Sequence, residues 1–167
     1  MIETRAQRRM WNFLGVLAVV GLWSYALFAQ YVQGYEACPL CIFQRMALTL
    51  VGVVLLVAAL HAPRGVGARV YAALGVIAAL IGSGISGWHV YLQHLPPDQV
   101  PSCGPGFDYM FDAFPLLEAV RMAFTGSGEC AEVNWKFVGL SMPAWVLIWF
   151  VILGALAVAA NWRRLSR

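Results

Sequence analysis

Four stretches of the chain stay apolar long enough to cross roughly 30 Å of hydrocarbon as helices: residues 11–32, 42–60, 69–92 and 143–162. Residues 33–41 form a short connection. Residues 93–142 mix proline, glycine, acids and aromatics without a spanning run and read as one long extramembrane loop. The pattern predicts an all-α integral membrane protein, a four-transmembrane-helix bundle forming a single membrane domain. Within the long loop, Pro115 to Phe124 places Leu116, Leu117, Val120 and Phe124 on one helical face. That predicts a short helix lying either on the bilayer surface or over the end of the bundle.

Composition agrees with the pattern. Of 167 residues, 61% are hydrophobic and 11% charged, with a mean hydropathy of +0.72. A water-soluble domain of that make-up would leave too much apolar surface uncovered. Arginines orient the spans, because short segments rich in Lys and Arg stay cytoplasmic. Arg5, Arg8 and Arg9 precede the first span, Arg64 and Arg69 separate the second from the third, and Arg163, Arg164 and Arg167 follow the fourth. Both termini are therefore expected inside. The opposite side carries seven of the eight acids: Glu36, Asp98, Asp108, Asp112, Glu118, Glu129 and Glu132. The net charge of +3 is explained by this orientation and gives no reason to expect nucleic-acid binding. A basic start before an apolar run also describes a cleavable signal peptide, with Ser24-Tyr25-Ala26 as its site. The run is longer than a usual signal core, and cleavage would upset the even span count, so a retained first helix is expected.

All four cysteines fall on the expected outer side: Cys38 and Cys41 where the second span begins, Cys103 and Cys130 in the long loop. Free cysteine is usually a small buried hydrophobe; here each copy sits where an oxidising compartment can reach it. In Cys38-Pro39-Leu40-Cys41, Pro39 suits the first helical position, where its missing N–H costs nothing. Cys41 then lies in the first turn, facing unpaired backbone N–H groups and the positive end of the helix dipole. Arg45 follows one turn later on the same face. Both effects favour a thiolate, the form that attacks disulfides. Other readings of these residues are an Arg45 that only anchors a helix end, a zinc site, and structural disulfides. Zinc would want a second CxxC, which Cys103 and Cys130 do not supply. A structural bridge between Cys103 and Cys130 would close a long loop and contribute about 2–4 kcal/mol. Gly104, Gly106, Gly126 and Gly128 leave the flanks of that pair pliable.

At these residues the chain resembles the disulfide-bond formation protein B (DsbB) family of bacterial inner membranes, over essentially its whole length. The resemblance rests on Cys38-Pro39-Leu40-Cys41-Ile42-Phe43-Gln44-Arg45 opening the second span, and on Gly128-Glu129-Cys130-Ala131-Glu132 followed by Trp135, Phe137, Gly139, Met142, Pro143 and Trp145. It implies a protein-dithiol:quinone oxidoreductase with its cysteines facing the periplasm. A thioredoxin-like oxidase of the DsbA type would attack a Cys103/Cys130 disulfide and form a mixed disulfide with Cys103. Released Cys130 would attack Cys38, freeing Cys41 beside a membrane quinone, either ubiquinone or menaquinone. By the same resemblance Cys41 contacts the quinone ring, Arg45 polarises a quinone oxygen, and His89 lies close to the quinone, able to hydrogen-bond a carbonyl or relay a proton. His89 could equally be an interfacial helix-end residue.

Other aromatics, including Trp11, Trp23, Trp88, Trp145 and Trp149, are expected to form interface belts and packing. Gly82, Gly84 and Gly87 suggest close helix approach in the third span. The rival reading is a membrane assembly or binding protein with two structural disulfides. A quinone-linked enzyme of the vitamin K epoxide reductase type would carry its CxxC in a late span, whereas here it opens the second.

Overall fold

The computed structural model describes residues 5–96, 99, 113–125, 128–131 and 133–162. Cys103, and with it Gly104, Gly106, Gly126 and Arg163 to Arg167, lies outside the described residues.

Among the described residues, four helices are long and apolar enough to cross a membrane: α1 (Arg5–Tyr31), α2 (Pro39–His61), α3 (Val66–Leu92) and α6 (Met142–Asn161). Between the last two come the short helices α4 (Leu116–Thr125) and α5 (Gly128–Ala131), then a hairpin of β1 (Lys136–Phe137) and β2 (Leu140–Ser141). The spanning helices start slightly before the apolar runs, and α1 starts six residues before, at Arg5. Backbone hydrogen bonding continues into the polar flank there.

Local chemistry sets the boundaries. Cys38 is the N-cap of α2, extended at φ −63 and ψ 160, and Pro39 opens the first turn as its fixed φ allows. Helix α2 closes on Ala62, in the left-handed region at φ 42, whose N–H donates to Ala58 O. The hairpin turns on Val138 (φ 52) and Gly139 (φ 80). Two positive φ angles in a two-residue turn match the right-handed strand twist, at the cost of placing a β-branched residue where few are found.

The long helices form a ring in the order α1, α2, α3, α6, with α6 closing back on α1. The most extensive seam, α3 against α6, is built from small residues. A methyl group on Gly75 would lie 2.7 Å from Ala157 Cβ, and one on Gly154 would lie 3.0 Å from Ala79 Cβ. A methyl on Gly82 would overlap the Phe150 ring. Gly82 thus permits the close approach expected of it, while Gly84 and Gly87 face open space and permit none. Val51, Leu55, Phe150, Leu153 and Ala157 fill the centre. The outside is apolar too: Leu60, Leu80 and Val151 are exposed, which suits a lipid solvent and not water.

Helix α4 docks by its C-terminal end. Its Ala123 is buried, the Phe124 ring lies 5.3 Å from that of Phe43 on α2, and Trp88 Nε1 of α3 donates to Phe124 O at 2.9 Å. Leu117, near its start, is exposed. Of the two placements expected for this helix, the end of the bundle accounts for the C-terminal half.

Candidate active site

The N-terminus of α2 collects the sulfur chemistry. Cys38 Sγ, as the N-cap acceptor, takes the Cys41 backbone N–H at 3.3 Å. The first turn also brings the two sulfurs within 2.8 Å, with the Cys38 S–H directed at Cys41 Sγ. From the far side of the sequence α5 delivers Cys130, fully buried. The Cys38 and Cys130 sulfurs and His89 Nε2 lie within 4.8 Å of one another. The side chain of Cys130 pushes the Cys38 thiol well above its ordinary range, reinforced by the Cys41 side chain and then by burial. Cys38 therefore holds its proton, and Cys41 lies beside the orphan N–H groups of the helix start.

Two cavities meet at Cys41. The first, of about 540 Å³, is lined by Cys38, Cys41, His89, Gln93, Asn134 and other residues of the connecting segments. The second, of about 380 Å³, lies between α1, α2, α6 and the hairpin, and its walls are apolar: Leu22, Ala26, Ala29, Leu48 and Val146, with Tyr25, Trp135, Trp145 and Trp149. Cys38 and His89 line only the first of these two, Gln44 and Arg45 only the second. Among the described cysteines, Cys41 is the one that borders both.

Arg45 reaches toward α1. Its guanidinium donates to Gln30 Oε1 at 2.6 Å and Ala26 O at 3.3 Å, and stands 5.8 Å from the Trp23 ring centroid. The cation therefore faces a mostly apolar chamber that Gln30, Glu36 and Gln44 also line, held by partners that leave its position little freedom. Above the chamber the rings of Tyr25, Trp135, Phe137 and Trp145 contact one another in series, with centroids 5.8 to 6.1 Å apart. Trp145 Nε1 ties this cover down by donating to Phe137 O at 3.0 Å.

Among the expected site residues, the structure brings Cys38, Cys41, Cys130 and His89 together and sets Arg45 across the second cavity. Cys103 lies outside the described residues. Trp145 and Trp149, expected as belt and packing residues, line the apolar cavity beside Cys41. Gln30 and Gln44 were given no role in the sequence reading. The available signal was a polar amide inside an otherwise apolar span, which is costly unless paired.

The DsbB family model, described as disulfide bond formation protein DsbB, matches residues 8–160. The chain belongs to the DsbB family. Its relatives named "Disulfide bond formation protein B" include one from Nitrosococcus oceani, 51% identical over 146 residues, which cover 87% of this chain and 86% of the relative. Another, from Methylococcus capsulatus, is 51% identical over 149 residues, covering 89% and 91%. A third, from Xanthomonas oryzae, is 44% identical over 159 residues, covering 92% of each. The family match takes in most or all of each of the four long helices and the segment bearing Cys130.

Proposed function

We propose that this chain is the DsbB-type oxidoreductase of its membrane, passing electrons from a DsbA-type dithiol through Cys103/Cys130 and Cys38/Cys41 to a quinone in the apolar cavity. The protein is a multi-pass membrane oxidoreductase of disulfide-bond formation, reoxidising DsbA and delivering electrons to quinone. The residue route, the orientation with both termini cytoplasmic, and placement of the cysteines at the periplasmic face of the inner membrane are our reading. The arginine-rich flanks support the orientation.

The observation that carries the route is the position of Cys41 between two cavities of different character. Thiol exchange proceeds on the side of Cys38 and Cys130. A dithiol partner reduces the Cys103–Cys130 disulfide and departs oxidised, leaving Cys130 as a thiolate. That sulfur attacks Cys38, a Cys38–Cys130 bond forms, the Cys38–Cys41 bond breaks, and the electron pair leaves on Cys41. The N–H groups of the α2 start stabilise this thiolate on the rim of the apolar chamber.

The donor set fits a quinone. Flat aromatic walls accommodate a ring, the Arg45 guanidinium offers N–H donors to a carbonyl oxygen, and Cys41 supplies the electron-rich atom. A bound quinone would take up two electrons and two protons and leave as quinol, while Cys103 displaces Cys38 from Cys130, so that the Cys103–Cys130 and Cys38–Cys41 bonds both re-form. Arg45 would orient the ring and stabilise negative charge on its oxygen, while the Trp135, Phe137 and Trp145 cover keeps water from Cys41.

The test is turnover of purified protein with a soluble quinone and a reduced thioredoxin-like partner, followed by quinone absorbance. Cys41→Ser is expected to abolish quinol formation while the partner can still be captured as a mixed disulfide. Quinol formation at the parent rate in that variant would overturn the route, and would favour an assembly protein with structural disulfides.

A further inference from the structure

Two buried side chains at the sulfur centre have no part in that route. Gln44 lies one turn beyond Cys41 on α2, and His89 sits near the end of α3; both are buried. Gln44 Nε2 is 3.2 Å from His89 Nδ1, and His89 Nε2 is 3.1 Å from the carbonyl oxygen of Cys130. A carbonyl can only accept, so His89 Nε2 carries the hydrogen and donates it. His89 Nδ1 then offers its lone pair to the Gln44 amide N–H. The three groups satisfy one another only in this arrangement, which fixes the ring as the Nε2–H tautomer. The same Nε2 stands 3.8 Å from Cys38 Sγ.

This chain of bonds adds to the packing of Cys130, which is buried in one cluster with Cys38, Leu40 and Leu92. Helix α5 spans four residues, too few to be stable without tertiary partners. Its Cys130 carbonyl is one of the orphan acceptors of a helix end. His89 satisfies that acceptor, and so fixes the Cys130 sulfur over Cys38. His89 lines the cavity of the sulfurs, and Gln44 reaches it from the wall of the apolar cavity.

We propose that Gln44 and His89 are positioning residues for the exchange between Cys130 and Cys38. Gln44 holds the imidazole ring in place through its Nδ1, and His89 docks the α5 backbone so that the Cys130 sulfur meets the Cys38–Cys41 bond. Neither donates a proton or electron to the step. The proposal rests on the thiol route above, and its test omits both quinone and partner so that the two can fail separately.

The test uses the full chain in detergent with Cys41→Ser and Cys103→Ser, leaving Cys38 and Cys130 as its only cysteines. It is equilibrated in dithiothreitol redox buffers, and the Cys38–Cys130 disulfide is quantified by alkylation and mass spectrometry. The readout is the effective concentration of one thiol toward the other. Loss of the hydrogen bond to the Cys130 carbonyl in His89→Phe should lower it about tenfold, and loss of the Gln44 contact in Gln44→Leu about threefold. His89→Gln, whose amide N–H can reach the same carbonyl, should recover most of the loss, which restored bulk alone would not do. Nitrogen-15 spectra of the parent should show His89 protonated at Nε2, with the Nδ1 resonance shifted in Gln44→Leu, which loses the donor to that nitrogen. Unchanged effective concentration in His89→Phe, or equal losses in His89→Gln and His89→Phe, would overturn the positioning role. Failure of the parent pair to form a disulfide in any buffer would instead overturn the thiol route.

Discussion

The two ends of the bundle both bury polar groups, and they do so with different chemistry. At the end away from the cysteines, Arg8 is only 1% exposed; its Nε donates to Ala160 O at 3.1 Å and an Nη to Pro63 O at 2.6 Å. One charged side chain thereby closes the last turn of α6 and the turn after α2. Beneath it Asn12 and Asn161 exchange amide bonds at 3.1 and 2.9 Å, each also donating to a carbonyl one turn back on its own helix. The sulfur end is joined by Cys38, Cys41 and Cys130, by a histidine, and by one carbonyl of a four-residue helix. Thiols are weak donors and weak acceptors, and these exchange covalent partners during turnover. Strong, fixed hydrogen bonds clamp one end, while at the other the sulfurs themselves are joined by weak ones that let them exchange partners. Stability should therefore reside mainly with Arg8 and turnover with Cys41.

Arg8→Leu is the severest test of that division. Hydrogen bonds to a charged group are worth about 1.5–3 kcal/mol each, and the carbonyls left behind would be buried without their donor. A loss of about 3 kcal/mol is expected, read from reversible unfolding in mixed micelles, with quinone-linked turnover per folded molecule unchanged. A variant equally stable but slow would reverse the assignment of the two ends.

At the sulfur end the corresponding change is Arg45→Met. The methionine retains much of the apolar contact but removes the guanidinium from the cavity shared by Cys41 and the tryptophans. Quinol formation is expected to slow by about tenfold, the value of one directed charge-assisted contact. Reduction of the Cys103/Cys130 pair by the partner, measured in rapid-quench alkylation without quinone, should keep its parent rate. Equal slowing of both steps would place Arg45 in general packing of the site.

The sequence carried one half of this contrast more clearly than the other. Apolar run length is a local property, so the long helices were evident from residues 11–32, 42–60, 69–92 and 143–162, and the CxxC spacing with Pro39 placed the α2 start. Arg8 was read only as a topology signal. Its burial depends on Ala160, 152 positions away, and on Pro63, 55 away. The bond from Gln44 to His89 likewise spans 45 positions and that from His89 to Cys130 spans 41; no local period encodes either. The hairpin was missed because Val138-Gly139 lacks the Asn-Gly or Asp-Gly signature of its turn. Trp145 and Trp149 were assigned to the lipid interface because hydropathy cannot separate a face turned to lipid from one turned to an apolar cavity.

The smallest expected effect refines the clamped end. Asn12→Leu or Asn161→Leu alone leaves the other amide in an apolar seam with half its bonds unmade, whereas the double replacement removes both polar groups together. A double-mutant cycle should therefore show positive coupling of about 0.6 kcal/mol, the usual scale for polar pairs between membrane helices. The chain loses this much and no more because each asparagine keeps a carbonyl partner on its own helix when its mate is gone. Zero coupling would mean that Arg8 closes this end unaided and the amides only fill space. Coupling well above the usual scale would mean that Arg8, whose backbone carbonyl accepts from Asn12, is held in place by the pair, so that the clamp acts as one unit.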